Sequence, residues 1–503
     1  MSYQQTPQRL IQAPAIDASG LPVTPKLALD QIQGDILIGL QKNAERFVFF
    51  QITNIADFKI DLRWTLADQI TTTKIVQERE AVLSTRKAQG NTTLLPLVGI
   101  NVGFTNAGIQ NLVGGLPVPL LGDPSFAAGA KAQAAVLNDP VDAANQPTTW
   151  IPEFLAAYPN IDGVFLITGG LTADVDEATE QLVSQLAGHI TVVYEETASV
   201  RPGLARGHEH FGWLDGVSQP GVRGLTNPFP GQRLLDAGHF VFGYPGQPLP
   251  PAPPATQPGW LVNGSFLVFR RLKQLVPEFE SFLANPQFAQ PSLALDSILL
   301  GARLVGRWKS GAPLDLTPLQ DDTTLGVDPQ GNNNFDFATD QDERRCPFGA
   351  HIRKVNPRAD FADQTAAVDP RRIIRAGIPY GPEVSTAEST AGTSAADRGL
   401  MFLCYQTSIP NQFEFLQSAW ANNPGFIFGK THPDGSPVAV GFDPIIGQNA
   451  AVGRARFTDE PIPNYPIGNT RSTLQEPNDF VIPTAAAYFF MPSIDAIKTV
   501  LSE

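Results

Sequence analysis

Apolar stretches along the chain predict a series of short strands and helices. Runs rich in β-branched and aromatic residues predict strands at 47–52, 163–167, 190–194, 265–270, 426–428 and 488–490. Helical spacing of apolar residues predicts helices at 57–83, 174–188, 276–283 and 494–501. A strand, a helix and a second strand therefore follow one another from 163 to 194, and a similar order returns in the second half of the chain.

This order predicts an α+β fold, in which antiparallel sheets pack with helices on their outer side. The recurrence is weak at the level of sequence, but it indicates a duplicated unit. Residues 1–28 are rich in Gln, Pro and Ala without periodicity, so we expect an extended arm there, followed by one half at 29–225 and another at 226–503. The proline-rich stretch 244–258 suits the interior of neither a helix nor a strand and is predicted to be a surface loop.

The composition narrows the class of protein. With 42% hydrophobic and 17% charged residues, a chain of 503 residues can fill a large core. The net charge of −14 argues against a nucleic-acid partner, because phosphate binding needs clustered Lys and Arg. No apolar run reaches the ~18 residues of a spanning helix, so no membrane segment is expected. The only two cysteines, Cys346 and Cys404, exclude a disulfide framework and are expected to be buried free thiols.

The compartment is indicated only indirectly. The first residues show neither the basic nor the apolar stretch of a secretion signal, which is compatible with a cytoplasmic protein or with a signal that has been removed. An acidic surface suits an acidic medium, so we expect an extracellular location, with the cytoplasm as the alternative. Asn91 and Asn263 begin glycosylation sequons, although such triplets often arise by chance.

Two segments carry residues that suggest chemistry. Glycines at 212 and 216 flank Asp215 in a Gly-x-x-Asp-Gly string, and they allow a tight turn that would hold the carboxylate in a fixed place. A buried carboxylate needs a cationic partner to stay ionised, and Arg375 is the candidate. None of the six histidines shows the spacing of a zinc site on a helix, but a single imidazole, such as His351, suffices for a haem iron.

Four short sequence motifs, taken in their order along the chain, point to one protein family. They are Gly-Trp-Leu-Asp-Gly at 212–216 with Ser-Gln-Pro at 218–220, the string at 305–313, Cys-Pro-Phe-Gly-Ala-His at 346–351 and Arg-Ala-Gly-Ile-Pro-Tyr-Gly at 375–381. With these strings the sequence resembles the dye-decolorising peroxidases, a family of haem peroxidases, and above all their long fungal forms. The resemblance covers roughly residues 30–500. It implies two ferredoxin-like halves, the first carrying the Gly-x-x-Asp-Gly motif and the second binding one haem b per chain.

The resemblance assigns His351 as the proximal ligand of the haem iron. A lone histidine could instead be a core residue that donates to a backbone carbonyl. A proximal histidine usually donates its second N–H to a carboxylate, which makes the imidazole a stronger electron donor, and Asp443 is the candidate. Asp443 could equally cap a turn before Pro444, and the sequence does not decide between the two.

On the open face of the haem, Asp215 would take a proton from hydrogen peroxide and return it to the departing oxygen. A carboxyl group, with a reference pKa of ~3.9, remains a competent base where a histidine would be protonated, which predicts an acidic optimum. Arg375 would stabilise the charge that develops on the departing oxygen. A purely structural Asp215–Arg375 ion pair is the alternative, and the two roles are compatible.

Apolar and aromatic residues complete the expected site. Leu400 and Phe402 resemble the residues that line the distal face in this family, although the same run could be an ordinary core strand. Such a pocket admits peroxide but excludes bulky dyes and lignin-like phenols. Trp420 and Tyr380 match positions that carry oxidising equivalents outward as surface radicals in related enzymes. A helix residue that simply faces the core is the alternative for Trp420.

Three further hypotheses concern partners and function. Glu383, Glu388 and Asp397 lie on a segment that is predicted to be a loop. Carboxylates are preferred ligands of Mn(II), but solvated acids are the favoured interpretation of these residues.

A protein that stores or delivers haem, with incidental peroxidase activity, is the alternative function, but it would need His351 alone. An iron-releasing or chlorite-decomposing relative could share the fold, because fold does not fix function.

Overall fold

Thirteen strands are present in the described part of the chain, and nine of them form one large sheet. The computed structural model describes residues 26–91, 95–114, 121–248, 257–285, 297–431, 435, 437–438, 440–448, 456–461 and 471–503. The strands are β1 Ala44–Ile52, β2 Gly99–Phe104, β3 Gly163–Gly169, β4 Ile190–Ser199, β5 Gly221–Val222, β6 Leu234–Leu235, β7 Ser265–Gln274, β8 Ile374–Arg375, β9 Ile378–Tyr380, β10 Gly399–Gln406, β11 Arg456–Pro461, β12 Arg471–Glu476 and β13 Val481–Met491.

Helices connect and cover the strands. They are α1 Gly34–Leu37, α2 Ile55–Asp61, α3 Ala67–Gln69, α4 Thr73–Ala88, α5 Asn106–Val113, α6 Pro124–Ala128, α7 Ala130–Gln133, α8 Pro152–Ala157, α9 Thr172–Gln185, α10 Val276–Leu283, α11 Ser297–Val305, α12 Thr323–Val327, α13 His351–Val355, α14 Gln364–Ala367, α15 Thr386–Ala391, α16 Phe413–Phe415 and α17 Ile494–Lys498. Two π-helical turns, Leu62–Leu66 and Leu416–Ala421, continue α2 and α16. In the part of the chain that the structure describes, no helix is long and apolar enough to cross a bilayer.

The large sheet is built from two halves with the same strand order. Its order is β4-β1-β3-β2-β13-β7-β10-β8, with β9 also paired to β10, and neighbouring strands run antiparallel. Within the first half the order is fourth, first, third, second. The second half repeats it, with β13 beside β7 and β10 beside β8 and β9. This is the ferredoxin-like arrangement, and the predicted α+β class with antiparallel sheets is confirmed.

The two halves meet at one strand pair and across a packed aromatic core. Phe490 of β13 pairs with Phe104 of β2, which joins the halves edge to edge. The rings of Phe47 and Phe49 on β1 pack against Phe269 on β7, with centroids 5.4 and 5.2 Å apart. Residues of the first and second halves therefore share one buried core, and the sheet curves so that β1 lies close to β7.

Most of the predicted elements are present at the predicted places. The strands predicted at 47–52, 163–167, 190–194, 265–270 and 488–490 lie within β1, β3, β4, β7 and β13, and the helices predicted at 174–188, 276–283 and 494–501 correspond to α9, α10 and α17. The single helix predicted at 57–83 is interrupted after Ile70. Thr71 there accepts the backbone N–H of Gly34 and lies against the first strands, and Thr72 begins α4 by capping the N–H of Ile75.

The strand predicted at 426–428 is wrong. These residues form a bend in which the carbonyl of Phe426 accepts a hydrogen bond of 2.6 Å from Lys354 Nζ, and the ring of Phe426 stacks on Trp420. The apolar run thus packs against a helix and a buried cation instead of joining a sheet. Sequence periodicity could not reveal this, because three apolar residues in a row suit either environment.

Some predictions fall partly or wholly outside the described residues. Of the arm predicted at 1–28, only residues 26–28 are described, and residues 249–256 of the proline-rich stretch are likewise outside. The division between halves at residue 225 stays a prediction. Cys346 and Cys404 are both buried and free, as expected.

Buried carboxyl groups make the stability of this fold depend on pH. Asp123 caps α6 by accepting the N–H of Phe126 at 2.9 Å and also accepts the N–H of Ile409 at 2.9 Å. Burial raises the pKa of Asp123 to about 7, against the opposing effect of these two hydrogen bonds. A folded state that holds a proton more tightly than the unfolded state loses stability as pH rises from about 4 to about 7.

We therefore expect the free energy of unfolding to fall over this interval, with Asp123 contributing about 4 kcal/mol. In Asp123→Asn the decline should be smaller, because the amide does not ionise. Urea unfolding at pH values on either side of the interval measures it. Asp322→Asn is the matched control, since Asp322 caps α12 through two backbone N–H groups but is exposed. A decline of the same size in Asp123→Asn and in the unsubstituted protein would contradict this account.

Candidate active site

A network of backbone hydrogen bonds holds the loop that carries Asp215. The backbone angle φ is +96° at Gly212 and +74° at Gly216, a region that suits glycine, as the sequence predicts. The buried carboxylate of Glu209 accepts the N–H groups of Phe211 at 2.9 Å and Trp213 at 2.8 Å. The N–H of Asp215 donates to the carbonyl of Gly207 at 2.9 Å, so the turn is fixed on both sides of the carboxylate.

Asp215 and Arg375 form the predicted ion pair. Arg375 Nη1 lies 3.1 Å from Asp215 Oδ1, and the two side chains are 32% and 35% exposed. The second guanidinium nitrogen donates to the carbonyl of Ser218 at 3.0 Å. Gln219 holds the backbone of Arg375 from both directions, because its amide donates to the carbonyl at 2.5 Å and accepts the N–H at 3.2 Å. The charged pair is therefore rigidly placed while remaining accessible.

His351 begins α13 and points one nitrogen at a buried carboxylate. Its Nδ1 lies 2.8 Å from Asp443 Oδ2, and the Asp443 side chain is fully buried. The other oxygen of Asp443 accepts the N–H groups of Ile445 at 2.8 Å and Ile446 at 3.0 Å. Both interpretations of Asp443 are therefore realised at once: one oxygen caps the turn and the other binds the imidazole.

The charge state of Asp443 follows from these contacts. Burial alone would raise its pKa, but the nearby His351 and the two backbone N–H groups more than offset burial, so the pKa of Asp443 lies below its ordinary value. An ionised carboxylate accepts the proton of Nδ1 and leaves Nε2 of His351 as the free donor atom. Within the described residues, Nε2 has no hydrogen-bonding partner.

One cavity brings most of the predicted residues together. It encloses about 1890 Å³ of space not filled by atoms, counting its open mouth, and Asp215, Arg375, His351, Leu400 and Phe402 all line it. Leu400 and Phe402 occupy alternate positions of β10, and Arg270 and Leu272 occupy alternate positions of the adjacent β7. Because alternate residues of a strand face the same side, the sheet presents one face to the cavity. Asp443 lies behind His351, outside the lining.

Three arginines around the cavity carry positive charge without a carboxylate partner. Arg307 donates to backbone carbonyls and to Asn333, and Arg358 donates to the carbonyls of Asn333 and Phe335. Burial lowers the pKa of Arg307 and of Arg372 to about 10 and that of Arg358 to about 9. Within the described residues, none of the three forms an ion pair. Arg307 and Arg358 are buried and Arg372 is half-buried, and cations without a carboxylate partner in such positions favour an anionic occupant of the cavity.

These features fit a haem group. A haem needs an axial donor such as the free nitrogen of His351, apolar walls for the porphyrin face and cations for its two propionates. The cavity offers the imidazole, the walls formed by Leu272, Leu400 and Phe402, and the buried arginines. The donor set and the chemistry of the walls are therefore compatible with the cofactor that the resemblance implies.

Trp420 lies next to the cavity but not at the surface. It is 3% exposed and belongs to a π-helical turn whose residues Leu416 and Gln417 line the cavity. Its indole stacks on the ring of Phe426, with centroids 4.9 Å apart and an interplanar angle of 7°. Phe426 in turn contacts Phe428, which is 64% exposed. The predicted surface position of Trp420 is wrong, because the rings of Phe361, Phe415 and Phe426 pack around the indole.

Tyr380 is also buried, on the other side of the sheet. It pairs with Gly399 of β10 and is 3% exposed. The residues of β10 that line the cavity are Leu400 and Phe402, so Gly399 and its partner Tyr380 face away from it. The prediction of a surface tyrosine is therefore also wrong: Tyr380 lies one sheet thickness behind the cavity.

The three acidic residues considered for Mn(II) do not converge. Glu383 pairs with Arg201 at 2.5 Å, Glu388 pairs with buried Arg398 at 2.8 Å, and Asp397 pairs with Arg271 at 2.6 Å. Glu388 also closes a capping box at the start of α15, so the segment includes a helix and is not only a loop. Within the described residues, no three His, Cys, Asp or Glu side chains are grouped as a metal site. Glu383 and Asp397 are 40% and 43% exposed, in keeping with the favoured interpretation of solvated acids, whereas Glu388 is buried.

Sequence reasoning missed residues that support the site from behind. Gln219, in the Ser-Gln-Pro string, had no assigned role although it holds the backbone of Arg375. Lys354, one turn after His351, donates to three carbonyls, including that of Gly441, two residues before Asp443. Gln219 lies within one of the four motifs and Lys354 lies shortly after another, and this proximity was the only sign in the sequence that they have a role. Their partners are distant in sequence, so the contacts could not be inferred.

Comparisons with known proteins agree with this architecture. Residues 31–202 match the family model described as the DyP dimeric alpha+beta barrel domain, and residues 296–426 match the model described as Dyp-type peroxidase, C-terminal. A dye-decolorizing peroxidase of Auricularia auricula-judae is 39% identical over 504 residues, covering 97% of this chain and 91% of the relative. A dye-decolorizing peroxidase of Mycena epipterygia is 40% identical over 494 residues, covering 94% and 87%.

Solved structures give the same result. An ancestral D-type dye-decolorizing peroxidase is 44% identical and superposes with a TM-score of 0.85, covering 95% of this chain and 100% of that chain. A dye-decolorizing peroxidase in complex with 2,6-dimethoxyphenol is 41% identical, with a TM-score of 0.80 and the same coverage. The fold and these matches define a peroxidase of the α+β barrel type. The chain belongs to the dye-decolorising peroxidase family, and the resemblance seen in the sequence is confirmed.

Proposed function

We propose that the protein binds one haem b per chain and uses hydrogen peroxide to oxidise bulky dyes and phenolic or lignin-like compounds in one-electron steps. The observation that carries the proposal is the single cavity lined by His351, Asp215 and Arg375. A site that only held haem would need the imidazole alone. The additional fixed carboxylate and guanidinium argue against a haem-handling function, because their chemistry is that of peroxide cleavage.

His351 and Asp443 form the proximal side of the proposed site. Bound haem supplies the iron that exchanges electrons with peroxide and with reductants. Nε2 of His351 is the atom that would hold it, because Nδ1 is engaged by Asp443 at 2.8 Å. The buried carboxylate orients the ring and increases the electron density on the imidazole, as second partners of ligand histidines generally do.

Asp215 moves the proton that peroxide cleavage requires. For the O–O bond of hydrogen peroxide to break with one oxygen departing as water, a proton must move from one oxygen to the other, and bound haem would supply the two electrons. Asp215 Oδ1 is held by Arg375 and by the N–H of Gly216, which leaves Oδ2 for the proton. Arg375 stabilises negative charge on the departing oxygen, and its position is set before peroxide arrives, so little reorganisation accompanies the reaction.

The walls restrict what reaches this pair. Leu400 and Phe402 place apolar side chains beside Arg375, which limits the water around the carboxylate and strengthens its interaction with the guanidinium. A related structure contains 2,6-dimethoxyphenol, which supports small phenols as reductants for this chain. Larger aromatic reductants would transfer electrons through Trp420 and Tyr380. The exposed ring of Phe428 contacts Phe426, which stacks on Trp420.

Asp215→Asn should abolish the reaction with peroxide but not haem binding. The amide cannot accept a proton, so the rate at which peroxide changes the Soret band should fall by at least about 100-fold, the usual effect of losing a general base. Stopped-flow absorption of the haem-loaded protein measures it. Asp236→Asn is the matched control, because Asp236 also pairs with an arginine, Arg223, but lies outside the cavity lining. An unchanged rate in Asp215→Asn would overturn the assignment.

Trp420→Phe should separate large reductants from small ones. We expect turnover of an anthraquinone sulfonate dye to fall several-fold while that of 2,6-dimethoxyphenol stays close to the original value, because only the dye depends on a relay. Steady-state rates with both reductants measure the difference. Trp308→Phe is the control: Trp308 is equally buried, at 3% exposure, and does not line the cavity. Equal losses for both reductants in Trp420→Phe would remove Trp420 from the electron path.

A further inference from the structure

Tyr380 lies in a cluster of charged side chains behind the sheet. The guanidinium carbon of Arg271 is 4.2 Å from the centroid of the tyrosine ring. Arg271 also binds two carboxylates, Asp397 at 2.6 Å and Glu196 at 2.8 Å. Glu196 additionally accepts a short hydrogen bond from Tyr194. Since two carboxylates neutralise it, the arginine does not act on the ring as an isolated cation.

Asp397 connects the buried phenol with solvent. The hydroxyl of Tyr380 donates to Asp397 Oδ1 at 3.3 Å, while Arg271 holds Oδ2. The Asp397 side chain is 43% exposed, whereas Tyr380 is 3% exposed. Burial raises the pKa of the phenol, so the hydroxyl keeps its proton at ordinary pH. One oxygen of the carboxylate is thus fixed by the arginine and the other faces the phenol.

The backbone fixes this arrangement relative to the cavity. Pro379 pairs with Leu400, whose side chain lines the cavity, and Tyr380 pairs with Gly399 on the same ladder. The carbonyl of Tyr380 accepts a hydrogen bond of 2.9 Å from Nε2 of His210, which lies in the loop that carries Asp215. Tyr380 is therefore held on the opposite face of the sheet from the cavity. That separation allows an electron to pass while the sheet excludes the reductant.

A buried phenol needs a base if it is to be oxidised reversibly. Loss of an electron alone would leave a positive charge on a ring that is 3% exposed and therefore poorly stabilised by water, which is energetically costly. Transfer of the phenolic proton to a nearby carboxylate at the same time leaves a neutral ring. Arg271 keeps Asp397 in position to accept that proton and, because of the exposure of Asp397, to exchange it with water.

We propose that Asp397 is the proton acceptor that makes Tyr380 a reversible one-electron relay for reductants too bulky to enter the cavity. The inference rests on the proposed peroxidase function and on Tyr380 as part of its electron path. In the forward step, the O–H bond of Tyr380 breaks, one electron leaves toward the peroxide-oxidised site, and the proton passes to Asp397 Oδ1. In the return step, one electron comes from the aromatic reductant and Asp397 gives the proton back.

The role differs from that of a structural anchor. If Asp397 only neutralised Arg271, Glu196 would be its equivalent, because each carboxylate forms one ion pair with the same guanidinium. Glu196 contacts Tyr194 and not the hydroxyl of Tyr380. Glu196→Gln is therefore a matched control for Asp397→Asn, since both remove one negative charge from Arg271 and only the latter removes the acceptor of Tyr380.

The test uses haem-loaded protein and four variants: Asp397→Asn, Tyr380→Phe, the double variant and Glu196→Gln. We expect Asp397→Asn to lower kcat for an anthraquinone sulfonate dye by about tenfold or more, in keeping with the loss of a positioned proton acceptor. Rates with 2,6-dimethoxyphenol should fall much less. The double variant should be no slower than Tyr380→Phe.

Electron paramagnetic resonance after peroxide addition should show a tyrosyl signal that is absent in Tyr380→Phe and diminished in Asp397→Asn, but retained in Glu196→Gln.

The results separate this inference from the proposed function. If Tyr380→Phe slows dye turnover while Asp397→Asn matches Glu196→Gln, the relay stands and Asp397 is not its base. If Tyr380→Phe leaves dye turnover and the radical signal unchanged, both the relay and the role of Asp397 are wrong, and Trp420 remains to be tested alone. Recovery of the tyrosyl signal in Asp397→Glu, with a shifted pH profile of dye turnover, would support proton transfer over a structural role.

Discussion

The hydrogen bond of 2.8 Å between His351 and Asp443 fixes the geometry on which the rest of the site depends. It joins two segments that are 92 residues apart and uses a carboxylate that has no exposure to solvent. Two backbone N–H groups bind the other oxygen, so the carboxylate cannot rotate without losing several bonds. Because Nδ1 is committed, Nε2 is the only atom of the ring free to bind a metal. His351 therefore presents one fixed nitrogen to the cavity that Asp215 and Arg375 also line.

The antiparallel sheet separates two kinds of chemistry. Alternate residues of β7 and β10 face either the cavity or the rear side, so adjacent positions have opposite environments. Arg270 and Leu272 line the cavity, and Arg271 between them faces the charged cluster of Tyr380. The proposed peroxide chemistry would therefore take place on one face of the sheet, and the proposed relay through Tyr380 would use the cluster on the other.

Much of the fold could be predicted from the sequence, because strands rich in aromatic and β-branched residues are recognisable locally. Strand order could not, since the meeting of β2 and β13 depends on contacts between chain positions nearly 400 residues apart, such as Phe104 and Phe490. The site residues Asp215, Arg375 and His351 could be predicted because each lies in a short recognisable motif. The structure places all three in the lining of one cavity. The burial of Trp420 depends on the rings that pack around it, and one of them, Phe361, lies far from the tryptophan in the sequence, so the string around Trp420 does not show it.

Haem binding by His351 is the central claim, and titration with haemin tests it most directly. The purified protein should bind one equivalent per chain, with an electron paramagnetic resonance spectrum typical of imidazole-ligated ferric haem. His351→Ala should lose that spectrum, whereas His208→Ala, whose ring lies outside the cavity lining, should retain it. An imidazole-type spectrum in His351→Ala identical to that of the unsubstituted protein would contradict the account.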